Sequence, residues 1–226
     1  MFATTTFTDD IEIELRNQSL SILDCGFLSA LTVGELSVQQ IRRWALNYYA
    51  CTKNGHLAIA NFLAHSPEDP GLRSELAKNL YEEETGLLSG VARCHMDVFL
   101  DFLKALGVSA NEASAVPGLA TTAYAHPILA DEYYAQITAY GILGEGPNAE
   151  FCESVLTALR ANYSFGDSEL NWFSLHAKLD KDHGETLSRY VVAAEGETGG
   201  LERTRELIFD LAPHYQSIWD GRGAWR

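Results

Sequence analysis

The sequence predicts an all-α fold, a bundle of about seven helices that share one core. Every strongly periodic segment repeats its apolar residues at spacings of three and four, which is the period of an α-helix. Helix start and stop signals follow one another, and no turn signal joins two segments with the period of a β-strand. The 226 residues, of which 46% are hydrophobic, contain no linker, repeat or low-complexity tract, so we expect one domain over residues 1–226.

Two capping patterns place the first helices. Ser37 and Gln40 form a capping-box pattern, and the apolar spacing that follows predicts one helix as far as about His65. Asp69 and Pro70 then supply an N-cap and a first-turn proline for a second helix. Each start is followed by an apolar run, so both helices are expected to pack against the core.

Glycines mark the ends of the next helices. Gly86 stops the helix that begins at Asp69, and Gly86 with Gly90 makes a short break. Residues 92–106 carry an apolar stripe and predict another helix, for which Gly107 is the C-terminal stop.

The second half of the chain continues the helical pattern. A helix is expected from about Pro127 towards Glu145, where Gly144, Gly146 and Pro147 should distort or break it. The remaining predicted helices are residues 151–163, residues 169–194 with Asp167 or Ser168 as the cap, and residues 201–219.

The charge of the chain limits its partners. Acidic residues outnumber basic ones by 31 to 16, which gives a formal net charge of −15. Such a field repels phosphate backbones and anionic lipid heads, so neither nucleic acid nor a membrane is an expected partner. The apolar runs are far shorter than the ~20 residues that span a bilayer, and no signal peptide is visible. We therefore expect a cytoplasmic protein.

The cysteines are widely spread and form no C-x-x-C pair, which argues against a zinc ribbon, a redox dithiol or a disulfide scaffold. We interpret them as buried free thiols. They are Cys25, Cys51, Cys94 and Cys152.

The sharpest chemical motif contains His176, Asp180 and His183. On a helix with about 3.6 residues per turn, Asp180 lies about 40° and His183 about 20° to either side of His176. Three potential metal ligands therefore share one face over two turns. The alternative is a charged helix surface with two incidental histidines.

A second group of candidate ligands lies at the end of the helix that begins at Asp69. Glu84 follows Leu80 at a spacing of four, so we predict that it lies on the buried stripe while Glu82 and Glu83 turn away. The helix dipole disfavours carboxylates at this end, so a compensating group is expected. Glu83 is the alternative first ligand.

Two further residues complete the candidate site. His95 falls on the apolar stripe of the following helix, from where it can approach Glu84; the alternative is a hydrogen-bonded core histidine. Glu145 ends an apolar run, and a carboxylate buried there without a partner would cost free energy or take up a proton. The alternative for Glu145 is a surface turn.

Together these segments supply three carboxylates and three imidazoles. This ligand type suits iron or manganese, and helical bundles build two-metal sites from Glu and His on facing helices. A zinc hydrolase typically needs three protein ligands and an open position. The six candidate ligands exceed that number. The six candidate ligands are Glu84, His95, Glu145, His176, Asp180 and His183.

The order of these motifs resembles that of the heme-oxygenase-like diiron oxidases, which are relatives of thiaminase II and pyrroloquinoline-quinone synthase. That family has a Glu in an acidic E-x-G segment, a later His, a further Glu and an H-x-x-x-D-x-x-H helix. Residues 84–86, His95, Glu145 and residues 176–183 match this order. The resemblance extends from residues 36–49 to the last helix and implies a seven-helix bundle related to heme oxygenase, without heme.

The resemblance implies a non-heme diiron oxygenase or oxidase that holds two iron ions, with manganese as an alternative at one site. Dioxygen is the expected co-substrate, reduced between two ferrous ions. The expected substrate is a small amino acid, amine or carboxylic acid, oxidised by N-oxygenation or by C–C cleavage. Glu145 is the expected catalytic residue, because Gly144 and Gly146 permit backbone conformations that let its carboxylate adjust.

Relatives of this family supply the alternatives. A metal-independent thiaminase-like or quinone-synthase-like enzyme would act on a heterocycle, but no cysteine here has a convincing base beside it. The chlamydial 4-aminobenzoate-forming protein has Tyr just before the middle Glu and a Lys further along, where this chain has Gly144 and Val155. A helical binding protein with structural histidines is the alternative without catalysis.

The expected partners are a small-molecule substrate, a candidate external electron donor and a second copy of the chain. The homodimer is expected because an aromatic surface at residues 219–225 would otherwise remain in contact with water.

Overall fold

The computed structural model describes residues 2–118, 127–180 and 184–226. Within these residues no β-strand occurs, and the predicted all-α fold is confirmed. The helices are α1 (Phe2–Asn17), α2 (Gly26–Thr32), α3 (Val38–Thr52), α4 (His56–Ala64), α5 (Pro70–Thr85), α6 (His95–Ala105), α7 (Ala110–Ala115), α8 (Tyr133–Tyr140), α9 (Gly146–Asn162), α10 (Asn171–Leu179), α11 (Gly184–Glu195) and α12 (Gly200–Trp219). Short 3₁₀ turns occur at Ile22–Asp24 and Gly221–Gly223, and a π-helical turn at Gly141–Glu145 joins α8 to α9.

The predicted caps of α3 and α5 are formed. The Ser37 hydroxyl accepts from the Gln40 N–H, and the Gln40 side chain accepts from the Ser37 N–H. The Asp69 carboxylate accepts from the Leu72 N–H at 3.0 Å, and Gly86 ends α5 in the left-handed conformation with a φ of 60°. Each of these signals involves residues within one turn, so the local sequence is enough to predict it.

The helix predicted to run from Ser37 to His65 is interrupted, so that prediction was wrong. The chain leaves the helix after Thr52 and re-enters it at His56. The Gly55 N–H donates to the Thr52 carbonyl at 2.7 Å, which closes a tight turn in place of the longer α-helical bond. The Asn-Gly pair before His56 favours such a turn over a helix interior.

The helix predicted over residues 169–194 is described as two helices, α10 and α11, with residues 181–183 outside the described part of the chain. Neither predicted residue caps α10, because the N-cap is Leu170 and makes no side-chain cap bond. Asp167 instead forms an ion pair with Arg160 at 2.7 Å. The predicted cap was therefore wrong.

Other helix starts also differ from the prediction, and α1, α2 and α7 were not predicted at all. Helix α6 begins at His95 instead of residue 92, and α8 begins at Tyr133 instead of near Pro127. The late start of α6 places His95 in its first turn, directly after the break that follows α5.

Two groups of buried side chains hold the helices together. The larger group includes residues from Ile11 on α1 to Trp219 on α12, and its centre is the stack of Phe27 on Trp44, with ring centroids 3.9 Å apart. The Trp44 indole donates to the Trp219 carbonyl at 2.8 Å, which ties α3 to the end of α12. The smaller group joins α4, α5 and α8 through residues such as Phe62. Large buried rings of this kind dominate core stability.

The aromatic residues at the end of the chain pack within the subunit. Trp219 is 4% exposed, and Trp225 is half-buried against the larger core group. The exposed aromatic surface that motivated the homodimer is therefore not there, and subunit pairing stays a prediction. Among the described residues, no helix combines the length and the apolar character that crossing a membrane would require.

Candidate metal centre

Three potential metal ligands meet between α5, α6 and α10. Ligand atoms of Glu83, His95 and His176 all lie within 4.8 Å of one another. His95 is 1% exposed, His176 is 7% exposed and Glu83 is half-buried. A buried carboxylate with two imidazoles is a donor set that suits a divalent transition metal.

His95 lies between two carboxylates. Its Nδ1 atom is 2.9 Å from Oε1 of Glu83, and its Nε2 atom is 3.1 Å from Oε1 of Glu82. Burial alone would lower the pKa of His95, but the hydrogen bonds and negative charges of Glu83 and Glu82 outweigh it and raise that pKa. Without a metal, Glu83 and Glu82 therefore favour the protonated form of the His95 imidazole.

The pKa values of the two carboxylates shift in the opposite direction, downwards. Burial alone would raise the pKa of Glu82, but hydrogen bonds from Ser89, His95 and Leu88 lower it below its usual value. For Glu83, burial is again the largest influence, yet the hydrogen bond from His95 and the nearby imidazoles lower its pKa. Both side chains are thus kept ionised, which is the form that binds a metal or a proton donor.

His176 is oriented by the residue one turn earlier. Its Nδ1 atom lies 3.0 Å from the carbonyl oxygen of Trp172, and the two rings pack with centroids 4.2 Å apart. The His176 ring meets His95 edge to face, with centroids 5.1 Å apart. A metal-binding histidine typically uses one ring nitrogen for the metal and donates a hydrogen bond from the other, which fixes the ring.

Glu84, the predicted first ligand, is not brought to this group. Its carboxylate lies 3.3 Å from Nε2 of His56, and its side chain is 49% exposed. At about 100° per residue, Glu83 lies about 20° from Leu76 around the helix axis, whereas Glu84 lies about 80° from it. Repeated spacings of four drift around the helix, so the buried face passes from Leu76 to Glu83.

Glu145 lies on the π-helical turn, so the predicted distortion by the flanking glycines is present. The Gly146 N–H donates to the carbonyl of Gly141, five residues earlier, which is the π-helical pattern. The Glu145 carboxylate accepts from the Asn79 amide on α5 at 3.2 Å. Turns of this kind are frequent at functional sites.

Asp180 follows α10 and is held from α9. The Asn148 amide donates to Oδ2 of Asp180 at 2.8 Å, and the Trp219 indole donates to the other end of Asn148 at 3.0 Å. Asp180 and Glu145 line the same cavity as Glu83 and His176. His183, the third residue of the predicted motif, lies outside the described residues.

The cavity has a volume of about 1200 Å³ and takes side chains from both core groups. Its described wall carries nine carboxylates and a single lysine, Lys78. Aromatic side chains, including Tyr48, Trp172 and Trp219, form much of the remaining surface. The cavity thus combines an acidic wall with an aromatic one, next to the candidate ligands.

Sequence reasoning missed Glu82 and His56 as residues of the site. Glu82 is 8% exposed, and the apolar spacing gave no sign that a carboxylate would be buried there. His56 lines the cavity and contacts Glu84, but it starts a helix that the sequence did not separate from α3. The Asn-Gly turn before His56 was the only local signal for that helix start.

Comparison with known families identifies the family of the chain. The sequence model of a family described as iron-containing redox enzymes matches residues 42–209. The chain belongs to this family. The match extends from α3 into α12, includes Glu83, His95 and His176, and confirms the expected relationship to the heme-oxygenase-like proteins. A search of curated proteins found no match.

The residues of this iron-containing redox enzyme fit the metal that the family implies. Glu83, His95 and His176 offer one oxygen and two nitrogen donors in a buried group, which is ligation suited to iron. Each imidazole has one ring nitrogen engaged outside the group, with Glu82 or with Trp172, and one directed to the group. The donor chemistry of these three residues therefore fits the iron that the family description implies.

The cysteines of this iron-containing redox enzyme are unsuited to a nucleophilic role. Burial raises the pKa of Cys25 to about 12, raises that of Cys152 well above its usual value, and also raises those of Cys51 and Cys94. None of them is among the described residues that line the cavity. This weighs against the thiaminase-like alternative, which needs a reactive thiolate.

Proposed function

We propose that this oxidoreductase is a non-heme diiron oxygenase or oxidase that uses dioxygen to oxidise a small amino acid or amine. The observation that carries the proposal is the buried group of Glu83, His95 and His176, of which Glu83 and His176 line a cavity that also bears Glu145 and Asp180. Carboxylate-rich iron sites in helical bundles are suited to oxygen chemistry.

Two sets of residues would hold the metal ions. Glu83, His95 and His176 would hold one ion. Glu145 and Asp180, with His183 from outside the described residues, would hold the other, and manganese is an alternative to iron at one of the two. When bound, the ferrous ions supply the electrons and the open coordination positions that dioxygen needs.

The chain's own residues orient the ligands and exclude water. Asn79 donates to Glu145 and Asn148 donates to Asp180, so each carboxylate has one position fixed by a neutral amide. An amide leaves the negative charge of its partner available to a metal. Aromatic side chains such as Trp172 cover the cavity beside His176 and limit access of water to the reacting atoms.

The charge of the cavity supports an amino group on the substrate. Carboxylates such as Asp9, Glu12 and Glu153 line the cavity in addition to the proposed ligands, and Lys78 is the single lysine of the described wall. A substrate with only a carboxylate would meet like charge, whereas a cationic amine would be attracted. We therefore place amino acids and amines ahead of simple carboxylic acids.

Anaerobic loading with Fe(II), followed by mixing with oxygenated buffer, tests the proposal. The loaded protein should bind about two ions per chain and consume dioxygen with a transient visible absorption. Straight-chain amines and carboxylates of equal length form a matched substrate pair, and the amine should give the faster oxygen consumption. A protein that takes up no iron under these conditions would instead favour a helical binding protein. Faster consumption with the carboxylate would overturn the substrate class alone.

A further inference from the structure

We propose that Glu82 is a positioning residue that holds Nε2 of His95, so that His95 binds metal through Nδ1. The inference rests on the proposed metal centre and adds to it a residue that is not itself a ligand. It predicts that the two histidines of the centre bind through different ring nitrogens, Nδ1 in His95 and Nε2 in His176.

The two nitrogens of His95 face different carboxylates. Nδ1 lies 2.9 Å from Glu83, whose ligand atom belongs to the group within 4.8 Å that includes His176. Nε2 lies 3.1 Å from Glu82, on the other side of the ring. A metal shared by Glu83 and His95 takes the place of the proton between them, so the nitrogen it binds is Nδ1.

The Glu82 carboxylate is anchored from outside the centre. Its Oε2 accepts from the Leu88 N–H at 2.7 Å, and its Oε1 accepts from the Ser89 N–H at 3.2 Å. Both oxygens thus already serve backbone donors of the turn that follows α5. The side chain is 11% exposed, so little water reaches it. An anchored carboxylate of this kind accepts a hydrogen bond from an imidazole N–H and fixes the ring.

The turn itself depends on the end of α5. Gly86 adopts a φ of 60°, and the chain folds back so that the Ala92 N–H donates to the Gly86 carbonyl at 2.9 Å. This return directs the Leu88 and Ser89 amides at Glu82. The same helix end therefore carries Glu83 into the centre and holds Glu82 behind His95.

Histidine 1H–15N correlation spectra of the wild-type protein loaded with Zn(II), a diamagnetic probe, test the inference without any substitution. The expected pattern is a metal-bound Nδ1 and a protonated Nε2 for His95, and the reverse for His176. A His95 ring bound through Nε2 would overturn the proposal. If wild-type protein binds neither Zn(II) nor Fe(II), it is the proposed metal centre that fails.

Substitutions give a second, independent readout. Glu82→Ala should weaken Fe(II) binding by about 10- to 100-fold, the usual loss when the partner of a ligating histidine is removed. Glu82→Gln keeps an oxygen that can accept from Nε2 and should restore part of the affinity. Glu84→Gln, two residues from Glu82 on the same helix and paired with His56, is the matched control and should leave the affinity unchanged.

The outcomes separate a positioning residue from a ligand or a structural residue. Loss of one bound ion in Glu82→Ala, with full stoichiometry in Glu83→Ala, would make Glu82 the ligand and overturn the proposal. Equal affinity in wild type and Glu82→Ala would overturn it as well. The nitrogen assignment in the Zn(II) spectra stays decisive even if Glu82→Ala fails to fold.

Discussion

His176 donates a hydrogen bond from Nδ1 to the carbonyl oxygen of Trp172, 3.0 Å away and one turn earlier in α10. A carbonyl oxygen only accepts, so Nδ1 carries the proton of the neutral ring and Nε2 is left to bind a metal. The Trp172 ring also packs against the imidazole. The orientation of the His176 ring is therefore fixed by the helix backbone and by the Trp172 ring before a metal ion binds.

His176→Ala should lower the amount of bound iron while leaving the protein helical, because the core contains many other large apolar side chains. Metal content and far-ultraviolet circular dichroism measure the two effects. His214→Ala, an exposed histidine on α12, is the control and should retain the wild-type metal content. Full metal content in His176→Ala would remove this residue from the centre.

Glu83→Ala should lose affinity for Fe(II), whereas Glu84→Ala should keep it. The two residues are neighbours of identical chemistry, but Glu83 contacts His95 and Glu84 contacts His56. Anaerobic Fe(II) titration of both variants compares them directly. The reverse result would favour the ligand predicted from the spacing along the helix over the one that the structure favours.

Glu145→Ala should abolish oxygen-dependent turnover, even if one metal ion still binds at Glu83. The reason is that Glu145 belongs to the second proposed ligand set and sits on a turn whose backbone can adjust. Stopped-flow mixing of the reduced, loaded protein with oxygenated buffer follows the reaction. Glu68→Ala, an exposed carboxylate before α5, serves as the control. The same oxygen reaction in wild type and Glu145→Ala would exclude Glu145 from the site.

The stability of the metal-free protein should be greatest at mildly acidic pH. The pKa values of Glu82 and Glu83 are lowered from 4.5, so their stabilisation is present above that pH and is lost as the pH falls through the folded values. The pKa of His95 is raised from 6.5, so its stabilisation is complete below that pH and is lost as the pH rises through the folded value. The contribution of the cluster is therefore largest between 4.5 and 6.5.

Bound iron should reverse the upper part of this profile. The imidazoles must lose protons to bind metal, so the increase in Tm on loading should grow as the pH rises and disappear in acid. Thermal unfolding of loaded and metal-free protein, from about pH 4 to about pH 8, gives both curves. A metal-free Tm that stays flat or climbs above pH 6.5 would contradict a raised pKa of His95.

Gly86→Ala should destabilise the protein more than Gly90→Ala. Both residues have a positive φ, of 60° and 80°, so each substitution costs roughly 1–3 kcal/mol of conformational strain. A Cβ at Gly86 would also overlap the carbonyl oxygen of Arg93, while a Cβ at Gly90 would meet no atom within 4 Å. Urea unfolding of both variants measures the difference. Equal losses would show that the close approach at Gly86 is easily relieved.

Local signals in the sequence were enough to predict much of the helical framework. The caps at Ser37 and Asp69 and the stop at Gly86 each depend on a few adjacent residues. The break after Thr52 was missed because the apolar period continues through it, although the Asn-Gly pair lies at the turn. Apolar periodicity indicates which face of a helix is buried. It does not indicate where one helix ends and the next begins when the same spacing continues.

The sequence was enough to predict that Glu and His residues form the centre, but it identified only some of those residues correctly. His95 was identified because it lies on the apolar stripe of its helix, and His176 because its spacing from Asp180 and His183 places the three on one helix face. The choice between Glu83 and Glu84 depends on a drift of about 40° for each spacing of four, which the spacing rule ignores. Glu82 could not be identified, because its role depends on how the next turn folds back.

The π-helical turn at Gly141–Glu145 contains one residue more than an ordinary helix needs to cover the same rise. Removing a single residue there, for example Ile142, would restore an ordinary α-helical turn, while α8 and α9 kept nearly the same orientation relative to each other. The backbone at Glu145 would then lose the wider bond in which the Gly146 N–H reaches the carbonyl of Gly141. The turn that carries Glu145 is thus encoded in the length of the polypeptide as well as in its side chains, and the gain or loss of one codon is enough to create or erase it.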